Sequence, residues 1–144
     1  MMFALAALAA ALVAGALGLR FHLRRVRRLD EADRIARELI PEIRAVMASC
    51  DPAGASMKEP MPGGCFALVR RRLPSILPRE SLFAVETFYQ CAEAYARASE
   101  EMTAAFSAGS ELSLGDRIRA KDRRDRCLKD VYYTGEAALE RLRK

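Results

Sequence analysis

The first nineteen residues, MMFALAALAAALVAGALGL, contain no charged side chain, and five arginines then fall within the next nine positions. No other feature constrains the chain as much. As a helix rising ~1.5 Å per residue, nineteen residues span roughly 28 Å, close to the ~30 Å hydrocarbon core of a bilayer. The larger apolar residues among them each favour insertion by only ~0.3–0.6 kcal/mol, and alanine adds little. The run therefore predicts a competent transmembrane anchor, not a strongly hydrophobic one.

Ala14-Gly15-Ala16 has the small-x-small form of a signal-peptide cleavage site. However, no lysine or arginine precedes the apolar run, whereas Arg20, Arg24, Arg25, Arg27 and Arg28 follow it. Positive charge is retained on the cytoplasmic side. The expectation is thus an uncleaved single-pass anchor over 1–19, with the N-terminus outside and the rest of the chain cytoplasmic. The five arginines over 20–28 orient it and can lie along anionic lipid headgroups, at ~1 kcal/mol each. Within the anchor Ala6, Ala10, Ala14 and Gly18 recur every fourth residue, a spacing that lets transmembrane helices approach closely. Eight alanines in nineteen residues also produce that spacing from composition alone.

The chain has a net charge of +5, and the five juxtamembrane arginines account for all of it. From Leu29 onward the remaining 19 basic and 19 acidic residues cancel. A broadly basic nucleic-acid-binding domain is therefore disfavoured. With no tryptophan and abundant Ala, Leu, Arg and Glu, the composition is helical.

No glycine or proline lies between Leu19 and Ile40, so the anchor is expected to continue outward as one rod. Leu29, Ala32, Ala36, Leu39, Ile43 and Val46 follow a helical three-four spacing, with a kink or restart expected at Pro41 and an end near Cys50. The stretch 51–64, DPAGASMKEPMPGG, reads as a flexible loop. A short helix over CFALVRRRL follows, stopped near Pro74, with Phe66, Val69 and Leu73 inward and Arg70, Arg71 and Arg72 in solvent.

A long helix is expected from about 79 to 107, with Pro78 and Glu80 suited to its first turn. Its inward face would be Val85, Phe88, Ala92, Tyr95, Ser99, Met102 and Phe106. SAGSEL breaks it, and Ser113 with Asp116 resembles a capping box for a last helix running from about 114. That helix has an apolar face in Leu128, Val131, Gly135, Ala138 and Leu142. Its charged first half, 116–130, is expected to project into solvent.

The fold predicted is all-α: a single N-terminal transmembrane helix followed, over 29–144, by a small antiparallel helical bundle of three long helices and one short one. The 3-4 spacing would equally serve a coiled coil, but the runs are short and interrupted, which favours intrachain packing.

Catalytic chemistry finds little support. The single histidine, His22, lies among the arginines, and Cys50, Cys65, Cys91 and Cys127 form no C-x-x-C pair. The adjacent acids Asp30-Glu31 and Glu100-Glu101 would point about 100° apart on a helix. Tyr89, Tyr95, Tyr132 and Tyr133 read as core and boundary residues, and Gly63-Gly64 lacks the lysine of a phosphate loop. No catalytic residue, metal or cofactor is assigned.

The general plan resembles that of many bacterial inner-membrane proteins; the resemblance covers architecture and carries over no functional residue. The expected function is a non-enzymatic accessory or scaffold subunit of a membrane complex. Its cytoplasmic domain would bind a protein partner or a further copy of itself. The alternative is an anionic-lipid or phosphate-binding module using 20–28 and 116–130, with Arg117, Lys121 and Arg124 on one face.

Overall fold

The computed structural model describes residues 2–50, 64–107 and 113–144, with side chains from residue 13 onward. Every regular element among them is helical: α1 (Met2–Ser49), α2 (Gly64–Val69), α3 (Leu73–Ile76), α4 (Arg79–Ser107) and α5 (Leu114–Leu142). They divide into two compact units, one ending at Ile35 and one running from Ala36 to Lys144.

The first unit is the N-terminal part of α1. Val13, Leu17 and Phe21 are exposed, as are all five arginines of the 20–28 segment. Among the residues searched no helix is long and apolar enough to cross a membrane. Much of the anchor expected over 1–19 lies outside the described side chains, including Ala6 and Ala10 of the small-residue stripe. Ala14 and Gly18 are exposed, and a Cβ placed on Gly18 would meet nothing within 4 Å.

In the second unit α4 and α5 form an antiparallel pair. Arg141 near the end of α5 meets Glu80 at the start of α4, and Arg123 meets Glu101 near the other end. The core is assembled from Leu39, Ile43 and Val46 on α1, Val85, Phe88 and Ala92 on α4, and Val131 and Ala138 on α5. Burying a side chain of this size contributes about 1.5–3 kcal/mol.

The α1 segment runs parallel to α4, a departure from the simple antiparallel bundle. Met47 approaches Gly135, and Cys50, three residues further on, accepts a hydrogen bond from Tyr132, so α1 runs antiparallel to α5. Short loops force neighbouring helices to alternate in direction. Here the 28 residues between Cys50 and Arg79 are long enough to bring the chain back to its starting end.

Two further expectations are corrected and one is narrowed. α1 continues through Pro41 without a restart and ends at Ser49, beside the expected Cys50. The expected CFALVRRRL helix is two, because Arg70-Arg71-Arg72 forms a turn and Pro74 opens α3 instead of ending a helix. Proline fits a first helical turn, where its missing N–H has no partner to lose. Finally, Leu29 is 62% exposed, and burial on the expected α1 face becomes complete only from Ala36.

The inward face of α4 is as expected through Tyr95 and then turns: Ala98 and Ala105 are buried while Phe106 is 53% exposed. Over this last part of α4, α5 is the neighbour in contact, with Arg123 on Glu101 and Arg124 on Met102. The first half of α5 accordingly packs instead of projecting. Arg124 is buried at 6% exposure, its guanidinium 3.5 Å from the Met102 sulfur. Ser113 caps α5 as expected, accepting from the Asp116 N–H and donating to its carboxylate. Loop residues 51–63 and the break at 108–112 lie outside the described residues.

Candidate functional site

Two arrangements in the second unit hold functional side chains, and they are chemically opposite. The first is centred on Glu42, which α1 presents toward the start of α2. Its carboxylate accepts from the Cys65 N–H at 2.7 Å, the Phe66 N–H at 3.3 Å and the Tyr89 hydroxyl at 2.8 Å. The first helical N–H groups have no partner within their helix, so a carboxylate there satisfies donors and complements the dipole. Phe66 stacks flat on Tyr89, ring centres 3.8 Å apart, and the Arg70 guanidinium lies over the Phe66 ring, 5.7 Å from its centroid. Glu38, one turn before Glu42, accepts from the Cys65 thiol at 3.4 Å.

This cluster holds protons in place. Burial, then the hydrogen bond and charge of Glu42, raise the Tyr89 hydroxyl pKa well above the ordinary phenol value. Burial and the neighbouring Glu38 push the Cys65 thiol up to about 11, and burial alone does the same for Cys50. A nucleophilic cysteine requires the opposite shift. The cluster pins α2 to α1 and α4.

The second arrangement is an apolar groove of about 470 Å³ between the first half of α4 and the last half of α5. Small side chains form its floor: Ala84 and Thr87 from α4, Thr134 and Ala137 from α5. Phe83 and Tyr133 flank it, 71% and 80% exposed. At one mouth the Arg141 guanidinium donates to Glu80 at 2.6 Å, with Arg79 beside them. The Ser81 hydroxyl donates to the Arg141 carbonyl at 3.3 Å, fixing the end of α5 against α4. The groove results from helical spacing: 83, 84 and 87 share a face of α4 that points away from the core face of Val85 and Phe88.

The five arginines of 20–28 belong to the first unit and are exposed. The phosphate face over 116–130 is broken, because Arg124 is buried and Arg117 half-buried while only Lys121 is open. The four tyrosines are dispersed. Tyr89 reaches Glu42, Tyr132 reaches a backbone carbonyl, Tyr95 is buried and Tyr133 stands at the groove. Among the described residues no three histidine, cysteine or acidic side chains are grouped to hold a metal ion.

Phe83 was not legible as a site residue, since an apolar side chain on an amphipathic helix defaults to the core. The available signal was that it falls outside the Val85–Phe88–Ala92 stripe. No protein-family model matches the chain, and no curated protein or solved structure shows significant similarity to it.

Proposed function

We propose that this chain is a non-enzymatic, single-pass membrane-anchored subunit whose helical domain binds protein through the α4/α5 groove. The observation that carries this reading is the exposure of Phe83 and Tyr133 beside a floor of small side chains. Aromatic anchors beside an apolar recess are the residues that concentrate binding energy at protein interfaces. The uncharged run over 1–19 and the arginines of 20–28 supply the anchor and its orientation, domain on the cytoplasmic side.

One thiol-labelling experiment tests both halves. Ala137→Cys, exposed in the groove lining, is introduced into the full chain with Cys65, Cys91 and Cys127 replaced by serine; Cys50 is fully buried and stays. A membrane-impermeant maleimide should leave intact cells unlabelled. In opened membranes it should label slowly, and at least several-fold faster once Phe83→Glu has cleared the groove. Labelling of intact cells overturns the orientation. Fast labelling of opened membranes regardless of residue 83 overturns the binding groove.

A further inference from the structure

The turn between α2 and α3 carries charge of one sign. No acid lies between Glu59 and Glu80, a stretch that holds four arginines, Arg70, Arg71, Arg72 and Arg79. All four are exposed. Beside them Leu68 is 82% exposed, more than any other large apolar side chain among the described residues. We propose that this face docks on an anionic lipid surface, with the arginines among the headgroups and Leu68 at the boundary of the acyl chains. Leu68, Arg70 and Arg71 take no part in the lining of the α4/α5 groove.

The fold holds this face outward. Glu42 fixes the start of α2 by accepting from the Cys65 and Phe66 N–H groups and from Tyr89. The Arg70 N–H donates to the Phe66 carbonyl and the Arg72 N–H to the Val69 carbonyl, both at 2.8 Å, which closes the turn. Phe66 and Leu73, on either side of it, are 7% and 0% exposed. With those two turned into the core, Leu68, Arg70 and Arg71 are turned out of it.

The acids packed nearest are engaged elsewhere. Glu38 and Glu42 lie against the start of α2, on the Cys65 thiol and N–H, whereas the arginines follow its end. Glu80 meets Arg141 at 2.6 Å. Arg70 lies over the Phe66 ring, a contact that orients its guanidinium and leaves its charge in place.

A run of arginines by itself is a solvated turn, and Leu68 is what selects the partner. Elements that lie in a membrane interface pair basic side chains with an apolar one that enters the headgroup–acyl boundary. A single-stranded nucleic acid stacks its bases on exposed rings. The ring at this face, Phe66, is buried flat against Tyr89. An acidic protein would satisfy the arginines and leave Leu68 in water.

The chain has no tryptophan, so Leu68→Trp places a single reporter on this face of the full chain. The variant is reconstituted into vesicles of phosphatidylcholine alone, or of phosphatidylcholine and phosphatidylglycerol in equal parts, with and without brominated acyl chains. With phosphatidylglycerol its emission should shift to the blue and be quenched by bromine; with phosphatidylcholine alone it should do neither. Leu114→Trp, 73% exposed where α5 begins at the opposite end of the α4/α5 pair from Glu80, should be unquenched in both. Arg70→Gln with Arg71→Gln should lower the ratio of quenched to unquenched emission about five-fold for each charge removed. Arg70→Lys with Arg71→Lys should preserve it, which separates charge from the packing of Arg70 on Phe66.

Quenching that is the same with and without phosphatidylglycerol, or the same at positions 68 and 114, overturns the proposal. So does the absence of quenching in every vesicle. If polyglutamate then shifts the Leu68→Trp emission where lipid did not, the face belongs to an acidic protein instead.

Discussion

Gly135 of α5 and Met47 of α1 are packed so closely that a Cβ on the glycine would lie 2.5 Å from the methionine sulfur, and 3.1 Å from the Phe88 ring. The absence of a side chain at 135 lets α1 rest on the α4/α5 pair. Gly135→Ala forces the Met47 side chain and the Phe88 ring to give inside the core, at about 1–3 kcal/mol, partly offset by the roughly 0.5–1 kcal/mol that alanine gains over glycine inside a helix. Thermal unfolding should fall by several degrees for each kcal/mol lost in a domain of about this size. Met47→Ala opens the space the new methyl needs, so the double variant should lose less than the sum of the singles. Strict additivity would contradict the contact.

Glu42 satisfies three donors drawn from α2 and α4. Glu42→Ala orphans them in a partly buried place, an expected loss of about 1–3 kcal/mol in urea unfolding. Glu42→Gln keeps one acceptor oxygen and should cost less. Tyr89→Phe added to Glu42→Ala should cost little more, because its hydroxyl has already lost its partner. A Glu42→Ala protein as stable as the parent would show that the cluster contributes nothing.

Two members of this cluster, with the buried Cys50 elsewhere in the core, set a response to alkali. Cys50 and Cys65 are raised from 9.0 to about 11, and Tyr89 lies above its ordinary 10.0. At alkaline pH the folded chain therefore holds protons that the unfolded chain has released. This stabilisation is complete below pH 9 and is lost as pH rises toward 11. Melting temperature should decline across that window, and less steeply in Cys50→Ala with Tyr89→Phe. A flat profile would contradict the assigned burial.

The parts legible in the sequence were those in which one local signal decides. Pro78 with Glu80 marked the start of α4, and Ser113 with Asp116 marked the cap of α5, because both act within a single helical turn. The inward face of α4 was readable as far as Tyr95. It was not readable at Phe106, because which helix packs against each turn of α4 is a tertiary fact. Arg124 was hidden for a related reason: a stretch polar on all sides gives no periodic sign of which arginine is buried. Glu42 caps a helix 22 residues downstream, and no spacing rule reaches that far. Phe83 and Tyr133 became visible as a pair only once α4 and α5 were set side by side.

The central claim is that the α4/α5 groove binds protein, and photocross-linking within the cell tests it most directly. A benzophenone amino acid replaces Phe83 in the full chain, and in a control replaces Leu68, which is 82% exposed on α2. The account predicts a discrete protein adduct from position 83 and none from position 68. No adduct from 83, or the same adducts from both positions, would contradict it.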